Sequence, residues 1–575
     1  MLSQKIKMCT KMEHIVNNSP VALTVRRGNF ILKTGENADW DGVFQTESCY
    51  WEVFMYSGLL ECEIAEHQEE PGMPEFFIDL NLNQIVRELQ NNVDDYEIRK
   101  LYYRMPKSWE MVCYRQEIYR EIRGKQLEKA LDRFSQKMRE TRKYKGLHEK
   151  AENKQQYQMY WFNTVCEFTD GVDLLRDTLA AAKPEAKGLA ELLTFVEELC
   201  KTKLWEECRK EKEKIKGMLS GLRFELSIDG TNLKVRTRQR EQYYFDYLKK
   251  LFPSRFSDRT DENGIPQDYL IPSPFITSEQ LGFLESEIVR MYRKKCPEFF
   301  KELEKFYKRF DKIIDERMYG VEEEVQYYLA YSMFQKDMEA RGCAFCEPKV
   351  QKGGSAFVAH EVYDLALARK NRFADLEVVS NSVQYREGER FFVVTGPNQG
   401  GKTTFARSLG QLVYFAMMGL TVPAESAVLP FFETLLTHFS VEESLESGRG
   451  KLKEELVRLE PMMQETQGTR FVILNELFTT AATYDAFVMG QRVIRHFADQ
   501  GCLGVYVTHI AELSKAGDDV ASLVALADEK DHKKRTFRVV RKEAEGIGYA
   551  GDIVDKHHLG YEELCKRLDE GGLTK

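Results

Sequence analysis

The segment FFVVTGPNQGGKTTFARSLGQL, residues 391 to 412, constrains this chain more than any other. A short apolar run, Phe391 to Thr395, enters a glycine-rich turn, and a helix-like stretch follows. Gly396 to Thr403 fits GxxxxGK followed by Ser or Thr, and the strand–loop–helix context is what that pattern needs to act as a phosphate cradle. Glycines let the backbone curl so that several N–H groups face one anion, and the helix N-terminus adds positive partial charge. A parallel α/β sheet delivers such a turn. Two more apolar runs, Phe471 to Leu474 and Gly504 to Thr508, predict further buried strands, with helical stretches between them.

The pattern assigns roles. Gly396, Pro397, Asn398, Gln399, Gly400, Gly401, Lys402, Thr403 and Thr404 form the expected ATP cradle. Lys402 reaches the β and γ phosphates, and the Thr403 hydroxyl binds Mg²⁺. The run FVILNELFTTAATYDA, residues 471 to 486, carries four apolar residues straight into Asn475 and Glu476. A carboxylate at the first of these positions holds the Mg²⁺ shell in P-loop ATPases, and an adjacent glutamate polarises the attacking water. Here the Mg²⁺-side residue is Asn475, which can bond a metal-bound water but carries no charge; Glu476 is the candidate base. The third run ends at Thr508-His509, at the carboxyl edge where such sheets bind ligands. His509 there can sense the γ-phosphate or position water, or serve only as a structural histidine.

The rest of the chain reads differently. With 575 residues, roughly two to four domains are expected. Residues 1–75 are mixed and give no clear fold. Residues 76–345 are helical in character: Leu80, Leu82, Ile85, Val86 and Leu89 recur at helical spacing. The aromatic-studded stretch from Phe299 to Arg341 predicts one or two long helices, with Pro297 near a start. Residues 223–238, RFELSIDGTNLKVRTR, alternate about Asp229-Gly230 and predict a short hairpin. Residues 346–575 hold the α/β pattern. The fold class expected is therefore multidomain: a mainly α-helical lever region followed by an α/β P-loop NTPase.

Composition excludes more than it selects. The chain is 43% hydrophobic with a net charge of -9, which describes no strongly basic coat for nucleic acid. No apolar run of about 18 residues predicts a membrane span. The start, MLSQKIKMCTKMEHIVNN, lacks the apolar block of a secretory signal, so a cytoplasmic chain is the simple expectation. Of the twelve cysteines only Cys343 and Cys346 have CxxC spacing, and no second pair completes a zinc site. Arg115 to Lys154 holds thirteen Lys or Arg against seven Asp or Glu, with Tyr119, Phe134 and Tyr144 interleaved. That stretch can track phosphates, or be a solvated helix with internal ion pairs.

Together the motifs resemble the MutS family of DNA-repair ATPases. GPNQGGKTT is similar to the family's GPNMGGKST, and Val422-Pro423-Ala424 to its VPA. SGRGKLKEEL, from Ser447 to Leu456, resembles SGRSTFMVEM; NELFTTAATYDA resembles DEIGRGTSTYDG; THIAEL resembles THYFEL. The likeness is specific over about residues 345 to 560 and extends weakly to DLNLNQIV from Asp79 and YRQEIYREI from Tyr114. The resemblance implies a homodimer through paired ATPase domains, with helical levers carrying a clamp around mismatched or branched DNA. The chain is short at its N-terminus for the family's mismatch-reading and connector domains. Phe-x-Glu, the family's wedge, occurs only at Phe195, Phe283, Phe300, Phe345 and Phe431, none near the start. DNA repair or recombination without direct mismatch reading is the expectation.

Departures from the family pattern bear on rate. Asn475 replaces an aspartate. Gly450 stands where the family places a serine that reaches the other subunit's γ-phosphate. Phe478-Thr479-Thr480 replaces Gly-Arg-Gly, and Val378 falls where an aromatic stacks on adenine. These favour slow hydrolysis and leave open a nucleotide-gated scaffold that binds ATP and hardly turns it over. A small-molecule kinase is disfavoured, because the helical half offers no acceptor pocket.

Overall fold

The computed structural model describes residues 21–26, 29–34, 58–61, 72–91, 97–151, 154–220, 224–229, 232–237, 291, 293–354, 356–371, 378–439, 450–464, 468–528 and 535–544. The chain divides into two compact units. One comprises Met1–Phe54, Lys129–Lys183 and Glu191–Glu322; the other comprises Met55–Glu128, Pro184–Ala190 and Glu323–Lys575. A helical N-terminal part is followed by mixed α/β sheets.

In the first unit, strands β1 (Val21–Arg26) and β2 (Asn29–Thr34) pair antiparallel. The helix Lys154–Ala182 buries Trp161, Phe162, Val165, Phe168, Val172, Leu175 and Leu179, a stripe at helical spacing. It packs on Pro297–Arg309, with Phe162 edge-on to Phe306 and the Trp161 indole donating to the Phe310 carbonyl (3.1 Å). Strands β3 (Phe224–Asp229) and β4 (Asn232–Thr237) pair antiparallel with Asp229 opposite Asn232. Gly230 of the expected turn lies outside the described residues. The stretch from Phe299 to Arg341 forms two helices, Pro297–Arg309 and Arg317–Glu339. Asp315 separates them: its carboxylate accepts from the Arg317 backbone N–H (3.0 Å) and also takes the Arg317 guanidinium.

The second unit is built on two sheets. The six-stranded sheet has the order β10-β11-β12-β8-β13-β14, with β8 Phe391–Thr395, β10 Thr434–Phe439, β11 Arg470–Asn475, β12 Leu503–Val507, β13 Val520–Ala527 and β14 Arg535–Arg541. All its pairings are parallel except β13–β14. The three strands expected from apolar runs, β8, β11 and β12, lie side by side at its centre and are buried throughout. The other sheet, ordered β5-β9-β6-β7, comprises Lys349–Gln351, Ser426–Pro430, Val358–Val362 and Asn381–Gln384.

The helix Lys402–Met417 follows β8 and is buried along most of its length. Helix Leu82–Asn91 buries Leu82, Ile85, Val86 and Leu89, and the Gln411 amide donates to the Leu80 carbonyl (2.9 Å). A set of buried tyrosines ties the far end of Lys402–Met417 to its surroundings. Tyr414 donates to the Tyr102 carbonyl (2.6 Å), Tyr102 to the Tyr327 carbonyl (2.7 Å), Tyr327 to the Met418 carbonyl (3.0 Å) and Tyr331 to the Thr421 carbonyl (2.6 Å). Burial raises all four phenols, so each stays a neutral donor. Among the described residues no helix is long and apolar enough to cross a membrane.

Candidate functional site

The loop between β8 and its helix sits at the carboxyl edge of the parallel sheet. Gly396 has φ +125°, and a Cβ there would lie 2.6 Å from the Ala525 carbonyl oxygen, so only glycine fits. Gly401, in the left-handed region at φ +92°, caps the helix. Pro397 and Gly400 are buried, whereas Asn398 and Gln399 are exposed at the crown. Lys402 is buried; its Nζ donates to the Gly396 and Pro397 carbonyls, both at 3.1 Å. An ammonium has three donors, so one is left for another acceptor. Burial lowers the Lys402 pKa; nearby Glu476 opposes that shift and Arg535 adds to it.

Neighbouring strands bring the remaining groups to the same edge. The Thr403 hydroxyl, in the first helical turn, donates to the Asn475 carboxamide oxygen (3.0 Å) at the end of β11. Thr404 is half-buried in the same turn. Glu476 comes next, in the left-handed region at φ +54°, and its N–H donates to the Val507 carbonyl (2.9 Å). Such a conformation is costly for a non-glycine residue and is typically held where geometry matters. His509, two residues past β12, places Nε2 3.1 Å from Glu476 Oε1, with both side chains partly exposed. Lys402, Thr403, Asn475, Glu476 and His509 are thus gathered by three adjacent strands. The group offers a cation, a hydroxyl–carboxamide oxygen pair and a carboxylate oriented by an imidazole.

The family model for MutS domain V matches residues 392–550. Over 148 residues the chain is 30% identical to the DNA mismatch repair protein MutS of Streptococcus uberis, covering 26% of this chain and 18% of that one. Over 324 residues it is 25% identical to MutS of Syntrophomonas wolfei, covering 53% of this chain and 36% of the relative. Over 146 residues it is 30% identical to the DNA mismatch repair protein msh-2 of Neurospora crassa, covering 25% and 16% respectively. The chain thus carries a MutS domain V segment and is similar to MutS proteins over part of its length. It spans about a third or less of the length of the curated relatives it matches.

Around the MutS domain V motifs, three further residues line the site. Glu455, buried on the helix Lys451–Gln464, accepts the Phe478 N–H (2.9 Å) and so fixes the turn that follows Glu476. Arg535 Nε donates to the Asn398 carbonyl (3.2 Å). Phe537 lies against Gly401, about half exposed, with φ +58° and its carbonyl accepting from the Asn381 amide (3.2 Å). Val378 is half-buried. Gly450 is exposed just before Lys451–Gln464, while residues 447–449 lie outside the described residues.

About half of the cations in the basic stretch from Arg115 to Lys154 bond elsewhere in the chain, most of them in partly exposed ion pairs. Arg115 donates to the Leu60 carbonyl; Arg120 pairs with Glu347, Arg123 with Glu339, Lys137 with Glu167, Arg142 with buried Glu322, Lys145 with Glu316 and Lys154 with Glu304. Arg120, Lys129, Arg133, Lys143, Lys150 and Lys154 are exposed. Of the Phe-x-Glu positions, Phe195 is buried beneath the Arg317 guanidinium, Phe300, Phe345 and Phe431 are half-buried, and Phe283 lies outside the described residues. Cys343 and Cys346 are free thiols, and no trio of His, Cys, Asp or Glu gathers as a metal site among the described residues.

Proposed function

We propose that this chain is a MutS-related ATPase that binds ATP with Mg²⁺ at Gly396–Thr404, hydrolyses it slowly, and pairs through its ATPase region to act as an ATP-driven clamp on DNA. The observation that carries the reading is the convergence of Lys402, the Thr403–Asn475 bond and the Glu476–His509 pair at one sheet edge. Lys402 holds the β and γ phosphates with its remaining donor. The Thr403 and Asn475 oxygens are hard donors of the type Mg²⁺ takes, though both are neutral, so they fit the ion with little charge of their own. Bound there, Mg²⁺ neutralises the β and γ phosphate oxygens. Glu476 accepts a proton from the attacking water, and His509 fixes the carboxylate's direction. Phe537, at the rim beside Gly401, offers its ring to the base.

The DNA part rests on the relatives, which are named for DNA mismatch repair. The described Phe-x-Glu rings are buried or half-buried, which favours recognition of branched or otherwise distorted DNA by shape and phosphates over direct mismatch reading. Neutral Asn475 favours one alternative, a nucleotide-gated scaffold that closes on ATP and barely hydrolyses it. Equilibrium titration of ATP·Mg²⁺ against the wild type and Lys402→Ala tests the site. Binding should fall at least about tenfold on loss of the phosphate cation. Equal affinity in a folded Lys402→Ala protein would remove the assignment.

A further inference from the structure

Strand β14 sends a second cation to the loop. Its register against β13 shifts between Ala525 and Ala527: Ala525 faces Val539 while Ala527 faces Arg535, so β14 carries the extra residues. Irregularities of this kind re-aim side chains and recur beside active sites. Hydrogen bonds pin the bulge. Thr536 Oγ1 donates to the Leu526 carbonyl (2.8 Å), and Asn381 accepts from the Val539 N–H (2.7 Å) while donating to the Phe537 carbonyl. Arg535, at the start of this strand, donates through Nε to the carbonyl of Asn398 at the exposed crown.

Two cations therefore hold three consecutive loop carbonyls, Lys402 those of Gly396 and Pro397 and Arg535 that of Asn398. They are close enough that Arg535 disfavours the charge on Lys402. Glu476 offsets part of that repulsion at Lys402, and a phosphate beside the loop carbonyls would meet both cations. With Asn475 neutral where a carboxylate is usual, the local field is also more positive by one charge.

We propose that Arg535 is a phosphate-binding residue that contacts the terminal phosphate of a nucleoside triphosphate, supplied in the same chain from β14. The proposal rests on reading Gly396–Thr404 as a triphosphate loop. The helix N-terminus takes the inner phosphates, Lys402 bridges the β and γ phosphates, and Arg535, over the outermost loop carbonyl, meets the γ-phosphate from the far side. A guanidinium forks onto phosphate oxygens and cannot be neutralised near pH 7. Arg535 thus distinguishes a triphosphate from a diphosphate by placing a fixed positive charge at the terminal phosphate.

The test is titration of fluorescent ATP and ADP analogues against the wild type, Lys402→Ala, Arg535→Ala, Arg535→Gln and Arg535→Lys, with nucleotide-free melting temperatures as the check on folding. Arg535→Gln keeps a donor for the Asn398 carbonyl and drops the charge, so it carries the test if the alanine variant does not fold. The expected result is a loss of about tenfold or more for the ATP analogue, under about threefold for the ADP analogue, and partial recovery with lysine. If the wild type binds, Lys402→Ala fails to bind, and Arg535→Gln keeps the full ATP-over-ADP preference, the role of Arg535 is overturned and the loop reading stands. Equal losses for both nucleotides overturn it too. A wild type that binds neither analogue overturns both readings.

Discussion

Glu476 and Asn475 are adjacent in sequence and opposite in consequence. Glu476 is a carboxylate held 3.1 Å from an imidazole in a strained backbone conformation, while Asn475 presents a neutral oxygen to Thr403. A neutral ligand holds a divalent cation less firmly than a carboxylate. Asn475→Asp should therefore raise turnover and lower the Mg²⁺ concentration that half-saturates it, each by about tenfold if one charge contact contributes ~1.5 kcal/mol. Mg²⁺ titration of ATP turnover in the two proteins checks this; a slower Asn475→Asp enzyme with unchanged Mg²⁺ dependence contradicts it. Much of this was legible before folding. The loop, Asn475, Glu476 and His509 each follow an apolar run, so position along the chain gives position at the sheet edge. Arg535, Phe537 and Glu455 were not. They reach the loop and the Glu476 turn from elements far away in sequence, and RTFRVVR reads as a polar, half-exposed strand with no motif. Its alternating Arg535, Phe537, Val539 and Arg541 was the available signal.

At the scale of elements, sequence reading works where burial is two-sided. Strands β8, β11 and β12 carry apolar runs because both faces are covered, and the apolar positions of Leu82–Asn91 recur because one helix face is. The four-stranded sheet escapes that reading, because strands such as Lys349–Gln351 and Asn381–Gln384 are short and alternate between buried and exposed residues. The segment Gly58 to Glu61 shows a different kind of order, imposed by side chains. Tyr114 donates to the Gly58 carbonyl (2.6 Å), Arg115 to that of Leu60 (2.8 Å), Tyr328 to that of Leu59 (2.8 Å), and Glu324 accepts the Leu59 N–H (2.6 Å). Burial pushes the Glu324 carboxyl from its ordinary 4.5 up to about 7, against the lowering effect of that hydrogen bond. A raised carboxyl contributes stability that is complete below the unfolded value and is lost as pH rises through the folded one. Wild-type stability should thus decline between pH 4.5 and about 7. Glu324→Gln, which can still accept from Leu59, should flatten that decline and melt higher than the wild type above pH 7. Melting temperatures across this range decide it; parallel curves for the two proteins would show that Glu324 does not titrate there.

For the whole molecule, a MutS domain V segment follows a helical region in which some basic residues pair within the chain and others are exposed. The exposed apolar residues Leu456, Val457 and Tyr484 lie on the two helices that flank β11 and its turn. They suit a second copy better than water, so ATP should promote dimerisation, and Tyr484→Asp should weaken it. DNA binding should fall steeply with salt, and a four-way junction should bind at least as well as a mismatched duplex. Light scattering with and without ATP, and binding to matched, mismatched and branched DNA at two salt concentrations, check these outcomes. A clear preference for a single mismatch would contradict the reading of shape and phosphates, and no DNA binding at any salt would favour the nucleotide-gated scaffold. The central claim is narrower: that ATP is hydrolysed at this sheet edge with Glu476 as the base. Steady-state ATP turnover of the wild type and Glu476→Gln, with and without junction DNA, measures it directly. The wild-type rate should lie well under the typical ~10 per second, and the glutamine variant should bind ATP but turn over at least about a hundredfold more slowly. A Glu476→Gln protein that hydrolyses ATP as fast as the wild type would contradict it.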